Sequence, residues 1–395
     1  MNSMQNVPVI VDIARSPMGR GKMGGALSSV HPADLLMQVL VGLVERNKLD
    51  PGTVDDLIIG CVSQASEQAV PVGRTAWLGA GYPVHVPCTM VERRCGSSQQ
   101  AVHFAAQGIA AGAYDIVIAG GIESMSRVPM GVARMGADPH GVAFEKRFPG
   151  QVGQGISAEL IAARWGISRE EMDEYSAGSH QRAEAARVAG KLAREIIPIE
   201  TPEGLVIEDQ TIRAGTTAEG LAQLKTSFNN DALAERFPEI NWSITAGNSS
   251  QITDGASAAL VMSEATANRL GLTPLARFVA FDVVGDDPLL MLTAPIPATR
   301  RVLAKAGLTI DQMDHVEVNE AFAPVPLAWH REMKSDPARL NPRGGAIALG
   351  HPLGASGTRL MGSLIHGLHE TGGRYGLQTM CEAGGLANAT IIERL

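Results

Sequence analysis

Four side chains of this sequence have, between them, the chemistry of acyl transfer. Cys95 stands in Arg93-Arg94-Cys95-Gly96-Ser97-Ser98, just ahead of an Ala- and Gln-rich run. Asn319 opens Asn319-Glu320-Ala321-Phe322, and His351 lies in Gly350-His351-Pro352-Leu353-Gly354. Cys381 opens Cys381-Glu382-Ala383-Gly384-Gly385. A thiol attacks as its thiolate, and an imidazole held beside it can take its proton. A second thiol can carry a proton to or from carbon. An amide can hold a water or donate to an oxyanion. The glycines around each residue permit close approach by a ligand, and Pro352 fixes the backbone after His351. The plainer readings are a helix-capping His351, an inert buried Cys381 and a turn-forming Asn319. Their common setting in Gly-rich turns favours a shared site that passes an acyl group through a thioester.

Positioning these residues requires strands that alternate with helices. Val9 to Ile13, Asp56 to Val62, Asp115 to Ala119, Ala256 to Met262 and His315 to Val318 read as short buried strands. Helical spacing marks Pro32 to Arg46, Val70 to Leu78, Ser97 to Ala111, Ala298 to Ala306 and Thr358 to Leu368. This rhythm predicts an α/β fold of βαβ units with a largely parallel sheet. Cys95 falls at a strand-to-helix junction, where the helix N-terminus is expected to lower the thiol pKa. Asp115 to Ala119 is expected to end at Gly120-Gly121.

Between about Ser124 and Gly247 the rhythm breaks. Met125, Met130, Met135 and several Gly and Pro precede a helical pair, Ser157 to Trp165 and Arg169 to Lys191. This stretch reads as an insertion that covers the site and binds ligand. There is also an internal echo. Cys95-Gly-Ser-Ser, a helix and DIVIAGG match, in order and spacing, Gly354-Ala-Ser-Gly, a helix and the strand before Cys381. Two related halves, with both helix N-termini facing one site, would produce it.

Composition excludes several classes. The chain has 395 residues, 45% hydrophobic, with 33 Lys+Arg against 41 Asp+Glu for a net charge of −8. That argues against nucleic acid as main partner. No apolar run approaches the roughly 20 residues that span a bilayer. The start Met1-Asn2-Ser3-Met4-Gln5-Asn6 lacks a secretion pattern, and Glu393-Arg394-Leu395 is not a peroxisomal address. A cytoplasmic protein is expected. Cys61, Cys88, Cys95 and Cys381 do not form a disulfide framework, and no CxxC or HxxxH pair suggests a metal. Cys61 and Cys88 read as small buried hydrophobes.

The motifs ERRCGSSQQA, AGGIESMS, TAGNSSQITDGASA, VNEAFA, NPRGGAIALGHPLGASG and CEAGGLANA run in order over essentially the whole chain. In them the sequence resembles the thiolases, the acetyl-CoA acyltransferases. The resemblance implies a five-layered αβαβα core: an N-terminal half (1–123, completed by 248–273), a loop domain (124–247) and a C-terminal half (274–395). It implies a homotetramer. Cys95 would be the acylated nucleophile, His351 its activator and Cys381 the acid/base at the acetyl carbon. Asn319, through a water, would form one oxyanion hole with His351; the backbone N–H groups of Cys95 and Ala383 would form the other. Arg213, Thr216, Phe228, Ala246, Ser250, Ala321 and Phe322 match CoA-binding positions. Acyl-CoA and CoA would be the partners, with no resident cofactor or metal.

Two departures bear on substrate. The family pattern Cys-x-Gly-Gly-Gly here has Ala383 at its first glycine, which would cost roughly 1 kcal/mol if the position needs φ > 0. Gly153-Gln154-Gly155 replaces the His-Met-Gly typical of short-chain biosynthetic members. A degradative enzyme with a broader or bulkier acyl substrate, a steroid side chain included, is therefore favoured over acetoacetyl-CoA synthesis. A β-ketoacyl synthase, which lacks the second thiol, a cysteine hydrolase and a non-catalytic acyl-CoA binder are the competing readings.

Overall fold

The computed structural model describes residues 6–395; the Met1–Gln5 part of the N-terminal reading lies outside them. Nine strands build one continuous sheet. They are β1 (Pro8–Arg15), β2 (Asp56–Gly60), β3 (Cys88–Val91), β4 (Ile116–Ser124), β5 (Thr253–Ser263), β6 (Ala276–Gly285), β7 (His315–Val318), β8 (Tyr375–Glu382) and β9 (Leu386–Arg394). Their spatial order is β7-β8-β9-β6-β1-β5-β4-β2-β3, with a two-residue strand, Gly19–Arg20, beside β5. Eight main helices are α1 (Pro32–Arg46), α2 (Val72–Gly79), α3 (Ser97–Ala110), α4 (Gln154–Trp165), α5 (Arg169–Val188), α6 (Pro295–Ala306), α7 (Pro324–Met333) and α8 (Ser356–Thr371).

The order is a duplication. In the N-terminal half, β2 pairs in parallel with β3 and β4, β4 pairs antiparallel with β5, and β5 antiparallel with β1. In the C-terminal half, β7 pairs in parallel with β8, β8 antiparallel with β9, and β9 antiparallel with β6. A single parallel bridge, Val316 to Leu340, stands where β3 would be. The halves join where β1 meets β6, with Val9 opposite Arg277 and Ile10 opposite Ala276. The sheet is mixed, not largely parallel. Crossover helices make parallel pairs, whereas the β8–β9 hairpin must reverse the chain. β4 also runs through Gly120-Gly121 to Ser124, beyond its expected end.

Helices fill three layers around the two half-sheets. Leu35, Leu36, Leu40 and Leu43 of α1 and Trp77 of α2 bury one outer face. Ala101, Val102, Ala105 and Ile109 of α3 pack with Met361, Leu364 and Leu368 of α8 in the middle. Val302 and Leu303 of α6 and Trp329 of α7 close the other outer face. The result is the five-layered α/β architecture that the resemblance implies. Cys61 is a fully buried hydrophobe, but Cys88 is only half-buried, because β3 ends the sheet.

The segment between β4 and β5 carries α4 and α5 and docks by two devices. Ala158, Ile161 and Ala162 of α4 pack against Val325 and Ala328 of α7. A buried ion cluster does the rest: Arg15 of β1 binds Glu195 (3.0 Å) and Asp209 (2.6 Å), and Arg343 binds Glu195 (2.7 Å).

Candidate active site

Cys95 sits in a tight turn between β3 and α3. The Gly96 N–H donates to the Arg93 carbonyl (3.0 Å) and the Ser97 N–H to the Arg94 carbonyl (3.1 Å). Ser97 Oγ accepts from the Arg93 N–H (2.9 Å) and donates to the Arg94 carbonyl (2.6 Å). Arg94 is held in the left-handed region at φ 46°, a strain typical of functional turns. The Cys95 side chain is 3% exposed and packs against Leu353, Leu360 and Met380.

His351 occupies the matching place before α8. Its N–H is shared between the Gln251 carbonyl (3.2 Å) and Thr253 Oγ1 (3.0 Å). Its Nδ1 lies 2.6 Å from Ser356 Oγ, which itself donates to the Pro352 carbonyl at 2.8 Å. Ser356 must therefore accept from Nδ1–H, which leaves the lone pair on Nε2. Nε2 faces Asn319 Nδ2 at 3.4 Å. Asn319 Oδ1 is buried and has no partner.

The His351 turn meets β4 through close backbone approach. A Cβ on Gly121 would lie 2.0 Å from the Gly354 carbonyl oxygen, and one on Gly354 would lie 2.4 Å from that of Ile122. Glu123 fixes the contact: its carboxylate accepts from the N–H groups of Val62 (2.9 Å), Ser63 (3.0 Å) and Gly354 (2.9 Å). Cys381 lies one residue before the end of β8, beside Asn319, whose N–H donates to the Thr379 carbonyl (3.1 Å) and whose side chain opposes the burial-driven rise of the Cys381 thiol. Glu320 anchors this side, accepting from Tyr175 Oη (2.9 Å) and Asn341 Nδ2 (3.0 Å) on one oxygen and Ser179 Oγ (2.7 Å) on the other.

Burial dominates the electrostatics. It pushes the Cys95 thiol well above its ordinary value, with Cys381 and Glu382 adding in the same direction. The expected lowering does not occur, because Cys95 precedes the first turn of α3 while nearly all its surface is desolvated. Cys381 is pushed up to about 12 by burial and by Glu382. His351 is pushed down to about 3 by burial and by Arg359, so it is a neutral base across the working pH range. Burial thus favours the neutral form of both Cys95 and His351.

The expected CoA positions form a path outward. Ser249 bridges to Phe322, and the Ser250 N–H donates to the Ala321 carbonyl (2.9 Å). Phe228 stands edge-on to Phe322 with ring centroids 6.1 Å apart, and Ala246 is exposed. Exposed Arg213 donates to Gln251 Oε1 (3.4 Å), the residue whose carbonyl holds His351, and Thr216 is half-buried three residues on. Gly153 precedes α4 facing open space, whereas a Cβ on Gly155 would strike the Phe228 ring at 2.3 Å. Ala383 is not among the residues with positive φ; Gly384 (φ 94°) and Gly385 (φ 79°) carry the turn, so the methyl is unstrained.

Sequence reasoning gave no role to Glu123, Glu320 or Ser356. Their signal was present: an acidic residue closing each of two apolar strand runs, IVIAGGIES and HVEVNE, is a buried carboxylate awaiting N–H partners.

Comparison with known proteins agrees with this geometry. The thiolase N-terminal domain family matches residues 8–265 and the thiolase C-terminal domain family residues 272–394. A steroid 3-ketoacyl-CoA thiolase, FadA6, of Mycobacterium tuberculosis is 46% identical over 98% of this chain and 94% of its own. A 3-ketoacyl-CoA thiolase of Pseudoalteromonas translucida is 45% identical over 99% of both. The crystal structure of the Bacillus anthracis acetyl-CoA acetyltransferase superposes with a TM-score of 0.88 at 35% identity, over 100% of both chains. With both family domains present in order and the fold reproduced along its length, this chain belongs to the thiolase family of acyltransferases.

Proposed function

We propose that the enzyme cleaves 3-oxoacyl-CoA with CoA, giving acetyl-CoA and a shortened acyl-CoA, in a degradative role. The observation that carries the reading is the burial of two thiols, Cys95 and Cys381, around one neutral imidazole and one amide. His351 Nε2 takes the Cys95 proton, and the thiolate attacks the 3-keto carbon. The N–H groups of Cys95 and Ala383, or Asn319 with protonated His351, receive the oxyanion. The C2–C3 bond breaks, and the Cys381 thiol protonates the departing acetyl-CoA carbanion. A CoA thiol then gives its proton to the Cys381 thiolate and attacks the Cys95 thioester. Cys95 leaves and recovers its proton from His351.

Arg213, Thr216, Phe228, Ala246, Ser250, Ala321 and Phe322 would hold CoA, and no resident cofactor is required. The open space at Gly153, together with the steroid-thioester relative, supports a bulky acyl group. Among the described residues no helix is long and apolar enough to cross a membrane. A cytoplasmic homotetramer fits the family resemblance. Thiolysis of a panel of 3-oxoacyl-CoA thioesters, followed by loss of their absorbance, tests the substrate. Activity should rise with acyl bulk. Activity confined to acetoacetyl-CoA would replace this reading with biosynthesis, and no activity would defeat both.

A further inference from the structure

Behind Cys95, on the face of β8 turned toward α3, polar groups stand where a core would be apolar. Glu382 is fully buried and neither carboxyl oxygen completes a hydrogen bond; the Asn388 backbone N–H is the donor that faces it. Asn388, across on β9, is equally buried. Its Nδ2 donates to Gln100 Oε1 (3.1 Å) and faces His103 Nδ1 (3.2 Å), while its Oδ1 has no donor. The two orphaned acceptors converge on Gly96, the residue after the nucleophile. A Cβ built there would lie 1.8 Å from Glu382 Oε1 and 3.3 Å from Asn388 Oδ1.

Buried acceptors without a donor are costly, and a carboxyl proton directed at Asn388 Oδ1 would satisfy both residues. We propose that Glu382 is a positioning residue for Cys95: a neutral carboxylic acid wedged against Gly96, its O–H donating to Asn388 Oδ1, whose deprotonation weakens the nucleophile on the alkaline side. The inference rests on Cys95 being the nucleophile. Burial raises the Glu382 carboxyl well above the ordinary carboxylate range, with Arg93 pulling the other way and Glu92 adding to the rise. The other titratable groups around it are Cys95 of the turn, Cys381 beside it on β8 and His103 on α3. Asp282 and Lys305 act on His103 from the side of β6 and α6. A charge on Glu382 raises both thiols. Once Glu382 has lost its proton, Cys95 titrates beside a negative charge.

The test uses the full-length enzyme, its Glu382→Gln variant and its Glu382→Leu variant. Iodoacetamide labelling of Cys95, resolved by peptide mass spectrometry, is followed from acidic to alkaline pH, alongside kcat/KM for thiolysis. Glu382→Gln should move the Cys95 labelling midpoint down by about one pH unit, roughly tenfold faster labelling between the two midpoints. It should also remove the alkaline decline of wild-type kcat/KM. Glu382→Leu should share the lowered midpoint but, lacking a donor for Asn388, show a lower kcat than Glu382→Gln throughout. Superimposable labelling curves for wild type and Glu382→Gln would overturn the proposal, as would equal kcat in the Gln and Leu variants. A wild type that labels at Cys95 yet cleaves no 3-oxoacyl-CoA would count against the proposed function; the labelling midpoints would still decide the role of Glu382.

Discussion

The two halves of this molecule share a strand plan, and two of their differences fall at the candidate site. The turn before α3 carries Cys95, and the equivalent turn before α8 carries His351. The connection between the antiparallel pair is a long insertion, Met125–Ile252, in one half and the short turn Ala383–Gly385 in the other. A duplicated scaffold thus delivers two turns, one carrying Cys95 and the other His351, the nucleophile and base of the proposed mechanism. The tight turn follows Cys381 at a strand end, while the insertion carries α4 and α5. The chemistry requires both halves, so it should fail when either turn is altered.

The largest effect tests that division of labour. Cys95→Ser should lower thiolysis at least about 10³-fold, and His351→Ala by about 10²–10⁴-fold, with the fold retained by circular dichroism. A Cys95→Ser enzyme that retained full activity would end the comparison.

The ion cluster that ties the insertion to both halves comes next. Burial pushes the Glu195 carboxyl up, but Arg343 and Arg15 outweigh it and hold it at about 2. Removing one partner of such a pair costs roughly 3–5 kcal/mol, so Glu195→Gln should lower the unfolding free energy by that amount at neutral pH. Because the folded pKa is depressed, this stability is present above the unfolded carboxyl value and is lost as pH falls through about 2. Wild type and variant should therefore converge in acid, and a constant gap in urea titrations would remove the ion pair as the cause.

Gly354→Ala probes the seam between the His351 turn and strands β2 and β4. Its methyl meets the Ile122 carbonyl and the Cys61 Cα (2.8 Å), both backbone atoms, and should cost about 1–3 kcal/mol in thermal unfolding. The smallest effects belong to the short turn. Gly384→Ala should cost about 1 kcal/mol through its positive φ. Gly385→Ala should cost more, because its Cβ also meets the Asp286 carbonyl at 2.6 Å. Ala383→Gly should change stability by under about 1 kcal/mol; a clear gain would show that the methyl is strained after all.

The sequence by itself determined much. The local signals of apolar period and punctuating glycine located β1, β2, β5, β7, α1, α3 and α8 to within a few residues. The echo between the turns exposed the duplication, and the matched motifs singled out Cys95, Asn319, His351 and Cys381 as candidates. β6 and β9 went unread: β6 has a half-buried face with irregular alternation, and β9 follows so short a turn that only its pairing defines it. Strand direction also escaped, since the choice between parallel and antiparallel is made by connections and not by strand residues. The electrostatics were decided by tertiary structure alone. A helix N-terminus argues for a lowered Cys95 pKa, but the opposite half buries that thiol beside Cys381 and Glu382. Desolvation depends on everything packed around a group, and neighbours far away in the chain cannot be weighed until the fold brings them together.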